Sequence, residues 1–321
     1  MPHRTRRRRA IDLSLEYGLY VALIAEIVIF ASLSPFFLTL HNLLNIGQAV
    51  AVLGITAAGL TVCIIGGLID LSQASVIALT TVVIAILHGS TGDGLPVWLA
   101  LLAALGIALV IGVVNGVVCV KFGVNSIITT LGTSTALGGV ALLIANAQTR
   151  TIVSADFDAF FFKRVVGIPI TLIVMVAVYV VAAVLLYGTK LGWHIYAVGG
   201  NPSASTRAGI YTKRIYWFLL LQSAALGCLA GIITAGQSGA GAANLGGDLL
   251  DVLTAVLLGG LGLAGGGGRI ERTLAGVLFI GVLNNGLILL NVPAFYGQVI
   301  RGVALILAVV MVSVRDRRVL L

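Results

Sequence analysis

Asp70, Ser72, Asn115, Asp251, Asn284 and Asn285 are polar side chains set in stretches that are otherwise apolar. Polar groups in hydrocarbon are costly, so each needs a partner or a task. Their chemistry is hydrogen bonding. Amides, hydroxyls and carboxylates could hold a polyhydroxylated ligand along a pathway, or could join helix to helix. Asp70 lies in G-G-L-I-D-L-S, Gly66 to Ser72. The two glycines can break a helix, and Asp70 or Ser72 can then cap the next one. Glu26 lies inside the first apolar run and Arg301 inside the last. With Asp251 they are the candidates for a charge relay.

No spacing in the chain is that of a catalytic centre. His3, His41, His88 and His194 are scattered, and Cys63, Cys119 and Cys228 sit inside apolar runs as small hydrophobes. A zinc-protease helix and a nucleophile elbow are both missing from the sequence. The segment 249–272 runs from L-L-D-V-L-T into four consecutive glycines and then Arg269, Glu271 and Arg272. A glycine-rich turn before a helix can bind phosphate. This one lacks the G-x-x-x-x-G-K-[ST] pattern, which occurs nowhere in the chain. No metal or cofactor is expected on this chain, and energy for active transport would come from a gradient or another polypeptide.

These residues need lipid-solvated elements to hold them. The chain is 59% hydrophobic and 9% charged, with a mean hydropathy of +1.13, whereas a soluble domain carries about 25% charged residues. The apolar runs do not alternate, so they predict spanning helices rather than barrel strands. The expected fold is all-α: a single polytopic membrane bundle over 1–321 with about ten spans, some broken or partial. The spans are predicted near 13–34, 49–69, 73–87, 96–118, 126–146, 168–187, 215–235, 250–263, 273–290 and 297–314. The eighth is short and ends in glycines, which suggests a partial span. The recurrent glycines, Gly112 and Gly116 among them, read as helix-packing sites.

Charge sets the orientation. With the N-terminus in the cytoplasm and the spans alternating, the inside collects Arg4, Arg6, Arg7, Arg8, Arg9, Lys121, Lys190, Arg207, Lys213, Arg214, Arg269, Arg272, Arg315, Arg317 and Arg318. The outside collects Arg150, Lys163 and Arg164. The net charge of +8 therefore reads as membrane topology, not nucleic-acid binding. Both termini are expected in the cytoplasm, with 1–12 as a basic tail. The run 13–33 is too long for a signal peptide's apolar core and has no small-residue cleavage site. The outer loop 147–167, with Asp156 and Asp158, reads as a connector or a cap over the pathway.

The cytoplasmic loop 188–214 is a basic island without an acid. Asn201 followed by Pro202 predicts a short capped helix. Ala204, Ser205 and Ala208 would allow close seating of a partner, and Arg207 could meet an acidic groove.

The stretch G-W-H-I-Y-A-V-G-G-N-P-S-A-S-T-R-A-G-I, 192–210, resembles the cytoplasmic signature of ribose-type (monosaccharide) ABC transporter permeases. It matches at Gly192, Tyr196, Ala197, Gly199, Gly200, Asn201, Ala204, Gly209 and Ile210, and departs at Ser205. G-G-L-I-D-L-S, the 250–270 segment and G-V-L-N-N-G-L are similar to further stretches of that family, in the same order along nearly the whole chain. The departures are Gln73-Ala74, Val124-Asn125-Ser126, Leu249 beside Asp248, and Glu271-Arg272. They bear on the ligand more than on the class.

The resemblance implies a non-catalytic permease subunit of an importer for a pentose or hexose. Its implied partners are a second permease subunit, ABC ATPase subunits carrying ATP and magnesium, an extracytoplasmic sugar-binding protein and membrane lipid. Residues Gly192, Tyr196, Gly199, Gly200, Asn201, Pro202, Ala204, Arg207, Gly209 and Ile210 would form the coupling element. The alternatives are a gradient-driven carrier, a related permease for a furanose-like signal or nucleoside, and a membrane subunit without a pathway.

Overall fold

The structure, a computed structural model, describes residues 2–90, 92–154, 157, 164–247 and 249–319, with side chains for these except 2–16, 294 and 311–319. Asp156, Asp158, Lys163 and Asp248 lie outside the described residues. So do the side chains of the N-terminal arginines and of Arg315, Arg317 and Arg318.

Thirteen α-helices order the described residues: α1 Pro2–Leu33, α2 Leu40–Ala49, α3 Ala51–Ile65, α4 Gln73–His88, α5 Val97–Gly116, α6 Ser126–Ala145, α7 Ile170–Gly188, α8 Lys190–Gly200, α9 Pro202–Arg207, α10 Thr212–Ser238, α11 Leu249–Leu258, α12 Ile270–Leu289 and α13 Ala294–Val319. A π-helical turn, Val117–Lys121, continues α5. Two antiparallel ladders of two-residue strands complete the inventory: β1 Arg150–Thr151 with β4 Ala240–Gly241, and β2 Arg164–Val165 with β3 Ile168–Pro169. In lipid every backbone polar group needs an internal partner, and helices supply it. The basic segment predicted as a tail is, from Pro2 onward, continuous with α1.

Five helical segments are long and apolar enough to cross a membrane: Val97–Lys121, Ser126–Ala145, Ile170–Gly188, Thr212–Ser238 and Ile270–Leu289. A sixth is the pair α2 and α3, bent by 46°. Shorter apolar helices cover Tyr17–Leu33, Gln73–His88, Leu249–Leu258 and Phe295–Val310. These ten segments follow the ten predicted spans in order. The second begins earlier than hydropathy indicates, because α2 mixes Leu with His41, Asn42 and Asn45. It is fixed by polar contacts instead. Thr39 caps it by accepting from the Asn42 N–H, and the Asn42 amide donates to the Phe37 carbonyl at 2.8 Å.

Helix α3 is the axis of the bundle. Thirteen of its fifteen residues are buried, so it meets protein on every side, and α7, α10, α11 and α12 pack around it. The long α10 lies against α3, α4 and α5. Small residues permit this approach. A Cβ built at Gly112 of α5 would lie 3.1 Å from that of Ala224 on α10, and one at Gly227 of α10 would lie 3.2 Å from Val76 on α4. The residues after α10 leave helical form and run along α4. The Ala242 N–H donates to the Thr81 hydroxyl at 3.3 Å, and Gly246 reaches the Ala74 backbone. Non-helical backbone at this depth is tolerated because protein, not lipid, surrounds it. The segment delivers the chain to α11, the short eighth span.

Candidate functional site

The basic island folds as two helices and a turn. Thr189 caps α8, its hydroxyl accepting from the Gly192 N–H at 3.1 Å. A Cβ at Gly192 would overlap the Leu185 and Leu186 carbonyls, so glycine there lets α8 fold back on the end of α7. Asn201 then leaves helical geometry, with φ −157°, and its Oδ1 accepts from the Ala204 N–H at 2.9 Å. Pro202 opens α9 at the position where the missing N–H costs nothing. Gly209 ends the turn at φ +85°, a left-handed conformation that favours glycine.

Every residue of α9 is exposed except Ser205, which is 5% exposed. Ala204 and Arg207 therefore face outward, whereas Ser205 points into the chain and offers nothing to a partner. Arg207 is exposed in the last turn of α9. The Arg214 guanidinium lies 4.7 Å from the centre of the Tyr211 ring. Ile210 is half-buried against the main core.

At the C-terminal end of α8 three glycine pairs meet backbone to backbone. They are Gly66-Gly67 after α3, Gly199-Gly200 at the end of α8, and Gly265-Gly266 in the loop after α11. The Gly266 N–H donates to the Ile65 carbonyl at 2.8 Å. A Cβ at Gly199 would overlap that same carbonyl. One at Gly67 would lie 3.3 Å from the Gly199 Cα, and one at Gly265 would lie 2.8 Å from the Gly67 Cα. Gly67, Gly265 and Gly266 all have positive φ, at +85°, +82° and +72°. Tyr196 on α8 fastens the loop further, donating to the Gly268 carbonyl at 2.9 Å. Burial pushes the Tyr196 phenol well above its usual range, so it stays a neutral donor. At the start of α12, Tyr187 donates to Glu271 at 2.7 Å, and Glu271 pairs with Arg269. The departure at Glu271 thus ties α12 to the end of α7.

Asp70, Ser72 and Asn115 form a separate buried chain of hydrogen bonds. Asp70 Oδ1 accepts from the Ser72 N–H at 2.8 Å and from its hydroxyl at 2.6 Å. The Asn115 amide donates to the Ser72 hydroxyl at 3.0 Å and accepts from Thr133 at 2.7 Å. The break between α3 and α4 is thereby linked to α5 and α6. Helix α6 also supplies acceptors to the open backbone: the Leu71 N–H donates to Thr130 and the Ile69 N–H to Ser126. Asp70 is fully buried, and its Oδ2 has no hydrogen-bond partner among the described residues. Its other oxygen is engaged in a local turn with Ser72.

Asp251, Asn284 and Asn285 come together elsewhere. They line a cavity of about 280 Å³ between α3, α4, α11 and α12, with Thr56 and a wall of aliphatic residues. Arg301 of α13 donates to Asp251 Oδ2 at 2.5 Å, with both side chains largely out of solvent. Asn285 exchanges a reciprocal pair of amide bonds with Asn42, each 2.9 Å. Among the described residues no group of three His, Cys, Asp or Glu side chains could hold a metal ion. Glu26 is buried on α1, and neither of its carboxylate oxygens has a hydrogen-bond partner among the described residues.

Membrane-length helices, a broken central helix, an interior cavity and a capped helix standing clear of the bundle define a polytopic membrane permease. The chain belongs to the family described as branched-chain amino acid transport system / permease component, whose model matches residues 42–309. Ribose import permease protein RbsC of Escherichia coli (strain K12) is 38% identical over 302 residues, covering 92% of this chain and 93% of that one. The L-arabinose transport system permease protein AraH of the same strain is 33% identical, over 92% and 89%. A probable ABC transporter permease protein, YphD, also of that strain, is 33% identical over 92% and 88%. No solved structure matches the chain.

Proposed function

We propose that the chain is the transmembrane subunit of an ATP-driven importer for a monosaccharide, and that α9 is where a separate ATPase engages it. The observation that carries this reading is the exposed, doubly capped α9 adjoining the glycine junction. A helix of six residues has little stability of its own. Here a cap at each end and a rigid base fix its direction, as a lever requires. The junction joins α8 to the ends of α3 and of the loop after α11 without a flexible side chain between them. A push on α9 would therefore reach α3 and the loop after α11, elements that further along their length carry walls of the cavity.

We assign ATP and magnesium to a partner ATPase, a reading that the relative named as a probable ABC transporter permease supports. The relatives named for ribose, arabinose and ABC transport support the sugar and the ATP-driven class over the amino acid in the family's description. A second permease subunit would complete the pore, and an extracytoplasmic binding protein would deliver the sugar. The positive-inside asymmetry favours both termini and α9 in the cytoplasm of the inner membrane. The Asp251–Arg301 pair neutralises two of the three candidate relay charges, which argues against a gradient-driven carrier. Alternating access then needs an ATPase that binds the two permease states with different affinity.

Copurification from membranes tests the reading. Wild-type chain should bring down an ATPase subunit, and exchange of the exposed residues of α9 should release it. Retention of the ATPase by such variants would refute α9 as the contact.

A further inference from the structure

The cavity beside Asp251 lies apart from the exposed α9. We propose that it holds a neutral polyhydroxylated solute in transit, with Asp251, Asn284 and Thr56 as the groups that read its hydroxyls. The proposal rests on the importer reading and adds to it a position for the sugar inside one subunit.

Size comes first. At about 280 Å³ the cavity falls just below the usual range of small-molecule pockets, roughly 300–1,000 Å³. It suits one compact solute. Chemistry comes next. Sugar hydroxyls both donate and accept, so they match groups that do the same. The Asn284 amide does both, it lines the cavity, and no side-chain hydrogen bond holds it among the described residues. The Thr56 hydroxyl donates to the Val52 carbonyl at 2.8 Å, which leaves its lone pairs for an incoming hydroxyl. Asp251 is an acceptor held in place by Arg301. The reciprocal bonds between Asn285 and Asn42 fix the neighbouring amide and with it the turn of α12 that presents Asn284. The aliphatic walls suit the C–H faces of a sugar ring.

Charge decides the class. Among the described residues the one ionic group lining the cavity, Asp251, is already matched by Arg301. A zwitterionic amino acid would compete with that pair, its ammonium for Asp251 and its carboxylate for Arg301. A neutral polyol needs no such exchange.

The cavity is also built on moving parts. Thr56 lies nine residues before Ile65 on α3, about 14 Å along the axis at 1.5 Å per residue. Asp251 lies on α11, whose following loop carries Gly265 and Gly266. Helix α3 ends at the glycine junction and the loop after α11 runs into it, so displacement of α8 would bear on the spacing of Thr56 and Asp251 across the cavity.

Asn284→Leu and Thr56→Val test the proposal in cells that carry the native ATPase and binding protein, with labelled ribose as the probe. Each variant removes about one hydrogen bond, so uptake at ribose well below saturation should fall about 3- to 10-fold. Membrane level and ATPase copurification should match wild type. Ribose uptake at the wild-type rate in both variants would overturn the cavity proposal and leave the importer reading intact. Wild-type cells that take up labelled leucine and not ribose would instead overturn the importer reading.

Discussion

Gly199 and Ile65, on helices with more than a hundred residues between them in sequence, share one backbone surface. The Ile65 carbonyl occupies the space that a Cβ on residue 199 would need, and it accepts from the Gly266 N–H at 2.8 Å. The end of the central helix, the end of α8 and the glycine-rich loop are thereby locked into one rigid node adjoining the exposed α9.

Gly199 and Gly200 should not behave alike. Gly199→Ala forces backbone apart, and overpacking of this kind costs about 1–3 kcal/mol. A Cβ at Gly200 would meet the Gly266 Cα at 3.8 Å, an ordinary contact. Uptake assays should show Gly199→Ala strongly impaired and Gly200→Ala near wild type. Equal effects would mean that the node is not the sensitive element.

Asn201 acts through its side-chain oxygen. Asn201→Ala removes the bond to the Ala204 N–H, a loss of about 1 kcal/mol of helix stability. Because α9 is so short, that loss should fray it and weaken ATPase association. Asn201→Asp keeps an acceptor and should restore association in the same copurification measurement.

Arg207 is exposed, and no shorter-range task holds it in the chain. Arg207→Glu should leave thermal stability in detergent unchanged while lowering affinity for the ATPase. The difference from wild type should shrink as salt rises, because exposed charges are screened. A salt-independent loss would place the effect in α9 folding instead.

The Asp70 network is a matter of stability. Asp70→Ala leaves the buried Ser72 N–H and hydroxyl without their acceptor. Each stranded group costs about 1–3 kcal/mol, so the unfolding temperature in detergent should drop clearly. Thr133→Val, at a half-buried site further along the same chain of bonds, should cost less. An unchanged unfolding temperature for Asp70→Ala would show that the turn is held by α6 alone.

Much of this architecture is legible in local sequence. The ten apolar segments, the cap at Asn201 with Pro202 behind it, and the packing role of Gly112 all follow from nearest-neighbour chemistry. The bend between α2 and α3 does not, because α2 is fixed by Asn42 bonding to Asn285, a contact across 243 positions. The glycine node is illegible for the same reason: three ordinary-looking glycine pairs matter only because the fold brings them together. Signature residues also divide by orientation, which sequence does not reveal. Gly192, Gly199 and Ser205 face inward and build the base of α9, while Ala204 and Arg207 face outward. Asp251 and Arg301 each looked like a relay charge alone, and as a pair they neutralise one another.

One measurement bears on the whole reading: labelled ribose uptake into sealed proteoliposomes holding the chain with its copurified ATPase, ATP inside and binding protein outside. Accumulation should require ATP and should be lost in Gly199→Val while the protein still inserts. Ribose uptake by the chain alone, driven by an ion gradient and indifferent to ATP, would contradict it.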